Sequence, residues 1–414
     1  MRRFPLRSAL ILALPIATAS AAEPNAALLA AARAAQPAVM ESLREMVGIE
    51  SGSSDAPGLA RMADFVEARV KALGLQTERV PAQPGPGLMV KGVMTGAGAK
   101  RLMLIAHMDT VYQPGILAAQ PLKIEGNRFY GPGIADDKGG IAVILHSLAI
   151  LRDAGWRDYA KITVLFNQDE ETGSAGSGDT IAALAAEHDA VLSFEPTVAK
   201  DQAKSEGVLL GAAGTATATL DVQGLAAHAG AAPERGRNAL VELAHQILQT
   251  QDVAKDVPGA QLNWTMASAG AVRNQIPDRA SATGDVRLTL PDAAPRLEAA
   301  LKAKTATPRV PDTKTTVTVA VGRPPFVAGD RGMALARRAE AIYAELDGRK
   351  LLLHPGTGGA TDAGFAAKSG KAAVLESLGL AGWGYHARDE YVEIDSIVPR
   401  LYLTTRLLME LGRD

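Results

Sequence analysis

The sequence predicts an α/β domain with a mixed, mainly parallel sheet, interrupted by a smaller inserted α+β domain. Continuous apolar runs, "RLMLIAH" (101–107), "KITVLFN" (161–167) and "AVLSFE" (190–195), alternate with helical patterns. That is how strands covered on both faces of a mainly parallel sheet read. After about Gly211 the texture changes to period-two alternation, as in "TATATLDVQG", the mark of strands exposed on one face. After Arg323 it reverts.

Taken in order, residues 1–22 stand apart. "MRRFPLRSALILALPIATASAAEP" has three arginines, an apolar stretch too short to span a bilayer, and A-x-A-like sites near Ala21 and Ala22. It reads as a secretory signal, which in a bacterium would make the mature protein periplasmic or secreted. Two helical patterns fill Ala26 to Leu73. The helix "GGIAVILHSLAILRDAG" follows the first strand, with Gly155 as its stop. Within 212–323 the order is strand, helix (Asn238 to Thr250), "LNWTMASAGA", "SATGDVRLTL", helix (Pro291 to Lys304) and "TTVTVAVG". This β-α-β-β-α-β order fits a ferredoxin-like sandwich. A helix over 332–347, "AVLESLG" and a last helix from Ile394 to Leu411 return to the larger domain. The expected boundaries are thus 23–211 with 324–414, and 212–323.

Composition narrows the function. The 414 residues are 47% hydrophobic and 21% charged, with a net charge of -2. Nothing in that balance points to nucleic acid or an anionic membrane as partner. There is no cysteine, so disulfides, thiolate metal sites and cysteine nucleophiles are excluded. Any metal must be held by His, Asp and Glu.

Such residues cluster where the apolar strands end. His107 and Asp109 close the first run, Asp136 and Asp137 precede a helix in "GIADDKGG", and Asp169, Glu170 and Glu171 follow the next strand. Glu195 ends "SFE", and His386 lies in "GYHARDE". In open α/β sheets ligands bind beyond the carboxyl ends of the strands. Acidic groups gathered there repel one another unless a cation intervenes, and nitrogen and carboxylate donors suit zinc. Each piece alone has a plainer reading: an exposed strand end for His-x-Asp, helix capping for Asp-Asp, a solvated turn for the acidic pair. Their joint order is far more specific. His146, His245, His188 and His354 read as structural.

The stretches "AHMDTV", "GPGIADDKGG", "DEETGS", "SFEP", "AHAG", "ATDAGF" and "GYHARDEYV" together resemble the M20 family of metallopeptidases, and within it the glutamate carboxypeptidases. The resemblance spans the whole mature chain. It implies a dizinc exopeptidase-type catalytic domain and an inserted dimerisation domain that makes a homodimer. It implies two zinc ions per subunit, His107 and Glu195 on one, Glu171 and His386 on the other, and Asp136 bridging. Asp109 would orient His107, and the peptide after Asp136 would be cis. Glu170 would be the general base, and His228 a donor to the oxyanion, reaching across the dimer. Arg287, Asn274 and Arg323 match positions used around substrate carboxylates. Thr357, Gly358 and Gly359 offer backbone donors to a terminal carboxylate.

One departure stands out. The resemblance leads to the pattern Lys-x-Ser-x-Gly just before the insert, where this chain has "GVLLG", with Gly207 and Leu209 at those places. Lys204, or Lys200, would have to restore the charge. The expected partner is a small molecule or peptide with a free C-terminal carboxylate, cut at the amide bond to a C-terminal glutamate, N-acyl or folate-like. The rivals are an N-acyl amino acid deacylase, a dipeptidase, or a non-catalytic binder on the same scaffold.

Overall fold

Residues 23–85 and 87–413 are described in the computed structural model; the expected signal segment, 1–22, lies outside them. Six strands form the central sheet, in the order Gln76–Pro81, Leu88–Thr95, Lys161–Asn167, Arg101–His107, Ala190–Ser193, Ala373–Leu375. The last four run parallel, and the first two make an antiparallel edge. The sheet is mixed and mainly parallel, as expected. Strand geometry explains why its central members are apolar throughout. Leu102, Leu104 and Ala106 face the core built with helices Ala26–Val47, Lys138–Asp153 and Ile397–Arg413. Met103 and Ile105 face a second cluster with Ile181, Phe365 and Ala366. Successive side chains point to opposite faces, so a strand covered on both sides must be apolar at every position.

The insert is a four-stranded antiparallel sheet, in the order Ala260–Ala269, Arg279–Leu288, Gly214–Gln223, Lys314–Arg323. Helices Ala239–Thr250 and Ala293–Lys304 cover one face around a core of their own. The other face is open, and the alternation along Gly214–Gln223 follows from that: Ala216, Ala218, Leu220 and Val222 are buried, while Thr217, Asp221 and Gln223 are exposed. This is the ferredoxin-like arrangement that the element order predicts.

Several boundaries move. The Ala190 strand stops at Ser193, two residues before Glu195. The helix expected over 332–347 is Gly329–Ala344. The last helix is Ile397–Arg413, after a 3-10 turn at Ile394–Ser396. A second sheet of five short strands, Lys123–Glu125, Arg128–Tyr130, Tyr391–Glu393, Ala381–Trp383 and Thr197–Val198, has no periodic signature because each is only two or three residues long. It matters for the site. It pairs the stretch after Glu195 with the hairpin that carries His386. Among the described residues no helix is long and apolar enough to cross a membrane.

Candidate metal centre

The Arg101–His107 strand delivers His107 to the carboxyl edge of the sheet, opposite Asn167 on its parallel neighbour. Both atoms near Nδ1 of His107 are acceptors: the Asp109 carbonyl at 3.0 Å and the Asp109 carboxylate at 3.3 Å. A neutral ring therefore carries its proton on Nδ1, and the Nε2 lone pair points outward. Nε2 faces Asp136 Oδ1 at 3.0 Å and Glu195 Oε1 at 3.7 Å. The other oxygen of Asp136, Oδ2, lies 3.3 Å from His386 Nε2, which is 3.1 Å from Glu171 Oε2. One carboxylate thus presents one oxygen to each imidazole.

Local structure explains the placements. Asp137 is the N-cap of Lys138–Asp153, where its Oδ1 accepts the Gly140 N–H at 3.1 Å. Its Oδ2 accepts the His107 N–H at 3.2 Å. The Asp-Asp pair is therefore both things the sequence allowed: one residue caps, the other faces the imidazoles. The peptide between them is cis, as the resemblance implies. Gly140 is required, since a Cβ there would lie 2.2 Å from both Asp137 Oδ1 and the Phe194 carbonyl. Asp109 does more than orient His107. Its carboxylate accepts the backbone N–H groups of Glu170 at 3.2 Å and Glu171 at 3.1 Å, and the Ser53 hydroxyl at 2.8 Å. It aims both glutamates from a single point.

Burial sets the electrostatics. Desolvation, reinforced by the charge of Asp136 and opposed by His107, pushes Glu195 up to about 7. Burial and repulsion from Glu195 hold Glu170 well above the ordinary carboxylate range, against the pull of His107 and Arg323. Hydrogen bonds to Asp136 and Glu171 raise His386 to about 10. Burial opposes charge on His107, yet Glu195, Asp109 and Asp136 together hold it well above its usual value. The protein alone therefore holds protons among these groups. A divalent cation would replace those protons as the compensating charge. Ligand atoms of His107, Asp136 and Glu171 lie within 4.8 Å of one another, as do those of His107, Glu170 and Glu195.

The sequence profile of peptidase family M20/M25/M40 matches residues 103–410. The chain belongs to that family. Carboxypeptidase G2 of Pseudomonas sp. (strain RS-16) is 45% identical over 417 residues, covering 100% of this chain and 98% of that protein. The succinyl-diaminopimelate desuccinylase of Stenotrophomonas maltophilia is 28% identical, covering 90% of this chain and 100% of the relative. Among solved structures, an M20 family metallo-carboxypeptidase of Sulfolobus solfataricus superposes with a TM-score of 0.68 at 18% identity. It covers 91% of this chain and 99% of its own. At that identity the likeness speaks for the M20 fold alone.

The remaining expected residues of this M20 chain divide. His228 and Asn274 are brought together, because Ala227–His228 pairs with Gln275–Ile276 and the Ala229 N–H donates to the Asn274 carbonyl at 2.9 Å. Nδ1 of His228 accepts the N–H groups of Gly230 and Ala231, both at 3.1 Å, which puts the proton of the neutral ring on Nε2. Arg287 lies on the open face of the insert, paired with Asp285 at 3.0 Å. Thr357, Gly358 and Gly359 form an exposed loop tied to the insert's entry by Ala213, whose N–H lies near the carbonyls of Thr357 and Gly359.

Two more of the expected residues have other surroundings than a substrate pocket suggests. Arg323 is buried, and its guanidinium donates to the Glu170 carboxylate, the carbonyls of Glu170 and Ala360, and the Ser174 hydroxyl. It is enclosed by protein rather than open to a substrate. Lys204 is exposed on a loop whose other lysine, Lys200, pairs with Asp395 at 2.5 Å, and neither lines the cavity beside Leu209.

Sequence reasoning missed two carboxylates inside the quoted motifs. Glu390 is buried and accepts the N–H groups of Gly133, Ala135 and Asp136 at 2.7, 2.8 and 3.1 Å. It holds the loop that carries Asp136. Asp362 accepts from Asn167 at 2.7 Å and from the Ser174 hydroxyl. Their chain positions alone gave no sign that they brace the site.

Proposed function

We propose that this M20 metallopeptidase is a two-zinc carboxypeptidase that cleaves the amide bond to a C-terminal amino acid, with glutamate as its preferred residue. The observation that carries the reading is Asp136, whose two oxygens face two different imidazoles. The donor set fits the metal: imidazole nitrogens and carboxylate oxygens, with no sulfur. His107 and Glu195 would hold one ion, His386 and Glu171 the other, and Asp136 both. When bound, zinc supplies Lewis acidity that polarises a carbonyl and acidifies water.

The chain's own residues do the rest. Glu170, buried beside the cluster, takes the proton of the attacking water and returns it to the leaving amine nitrogen. Arg323 and Asp109 hold its carboxylate and its backbone in place. The proton on Nε2 of His228 is the donor offered to the developing oxyanion, from the second subunit of a dimer. Exposed Leu225, Leu240, Val241, Leu248 and Met266, all in the insert, support association through that domain. The N-terminal sequence supports export to the periplasm or medium.

Hydrolysis of an N-acyl amino acid panel by the zinc-loaded protein tests the reading. One acyl group is held constant while glutamate, aspartate, alanine, leucine and arginine are varied. Selection for glutamate is the expected result. Broad or apolar preference would replace it with the deacylase or dipeptidase reading. Absence of all turnover with zinc bound would leave only a binding protein.

A further inference from the structure

Gly207 and His354 share one space. The strand Gly207–Leu209 runs parallel to Leu352–His354. A Cβ on Gly207 would lie 2.5 Å from Cδ2 of His354 and 2.7 Å from its Nε2. The imidazole thus occupies the volume that a side chain at 207 would fill. His146 and His188, also read as structural, have Nε2 at 2.9 Å from Ser42 and Thr163 hydroxyls. Nε2 of His354 is buried and has no hydrogen-bond partner among the described residues. A buried polar nitrogen left unpaired is uncommon and calls for an explanation.

The ring also lines a cavity of about 160 Å³ with Leu209, Thr357, Ser377 and Tyr385. Pro196 and Tyr385, on the same wall, are the chain neighbours of Glu195 and His386. The cavity is therefore lined by the sequence neighbours of one candidate ligand from each half of the metal centre. Thr357 belongs to the loop offered to the terminal carboxylate. Beneath the cavity, Arg400 donates to the carbonyls of Gly207 and Ser377 at 3.0 and 3.3 Å, which fixes both residues.

We propose that His354 is the specificity-determining residue for the side chain of the C-terminal amino acid, its imidazole turning Nε2 from Gly207 into the cavity to donate a hydrogen bond to the side-chain carboxylate of glutamate. This rests on the carboxypeptidase reading. The cavity walls include Pro196, Val198, Val208 and Leu209, so a carboxylate entering it must find a donor or lose its hydration uncompensated. No lysine or arginine lines the cavity, and His354 is its one imidazole. A site built to hydrogen-bond a substrate group rejects analogues that lack it. His354 thereby takes over what the absent lysine of the "GVLLG" stretch would have done.

The test uses the zinc-loaded full-length enzyme and two substrates with one acyl group, N-acyl glutamate and N-acyl leucine, with bound zinc measured for every variant. His354→Leu should lower kcat/KM for the glutamate substrate by about 10- to 100-fold, mostly through KM. The leucine substrate should change little and zinc content not at all. His354→Gln, which keeps a donor, should recover part of the loss. Gly207→Ala, which displaces the ring, should shift selectivity in the same direction should His354→Leu fail to fold. Equal losses on both substrates, or unchanged selectivity in the variants, would overturn the role of His354 and leave the carboxypeptidase reading intact. A wild-type enzyme that hydrolyses neither substrate would overturn both.

Discussion

Arg323 Nη1 lies 2.6 Å from Glu170 Oε1, and both side chains are buried. The pair spans the two domains, since Arg323 ends the last strand of the insert and Glu170 follows the central strand Lys161–Asn167. The guanidinium favours the ionised carboxylate, against the burial that disfavours it. Arg323→Met should therefore lower kcat by roughly 10- to 100-fold with zinc still bound, because a displaced base loses its alignment. Arg323→Lys should restore little, lacking the fork that also reaches the Glu170 carbonyl and Ser174. Steady-state kinetics with zinc analysis checks this, and an unchanged kcat in Arg323→Met would make the pair incidental.

The proposed count of two ions rests on Asp136. Chelation should lower the melting temperature, because an ion that binds only the folded chain stabilises it. Back-titration followed calorimetrically should require two equivalents of zinc per chain. Asp136→Asn should weaken both sites, whereas His386→Ala should weaken one. A single equivalent for the wild type would refute the bridging role.

Arg400 is fully buried, and its Nε donates to Glu206 Oε2 at 2.9 Å, an oxygen that also accepts the Tyr343 hydroxyl. Arg400→Ala leaves buried Glu206 with only the Tyr343 hydroxyl and the more distant Arg349 guanidinium, 3.9 Å away, which should cost about 3 kcal/mol in denaturant unfolding. Arg400→Met combined with Glu206→Gln should cost less, since no bare charge remains. Equal losses in the single and double variants would show that packing, not charge, is what Arg400 supplies.

His146 predicts an acid limb of stability. Burial, helped by Arg69, lowers its pKa from 6.5 to about 4. Its folded value is depressed, so the unfolded chain takes up a proton first as pH falls. The contribution is complete above pH 6.5 and is lost as pH drops through about 4. Its full size is about 3 kcal/mol by linkage. His146→Gln should flatten the stability profile between pH 7 and 4. A wild-type profile with the same slope as the variant would rule His146 out.

The sequence by itself determined the architecture and most of the candidate metal centre. Burial on two faces requires strands such as "RLMLIAH" to be apolar throughout, and burial on one face requires the alternation of "TATATLDVQG", so the central sheet and the sheet of the insert are legible from periodicity, whereas the sheet of short strands is not. His107, Asp109, Asp136, Glu171, Glu195 and His386 are legible because each follows a strand end or sits in a short motif. Tertiary structure alone decided who their partners are. Glu390 braces the Asp136 loop from more than 250 residues away, and Arg323 reaches Glu170 across 153. His354 looks like an ordinary loop histidine until the parallel pairing with Gly207–Leu209 places it over a glycine. Local periodicity reports which face of an element is buried. It carries nothing about which distant side chain completes a buried hydrogen bond, because that partner is chosen by packing between elements that the chain brings together only when it folds.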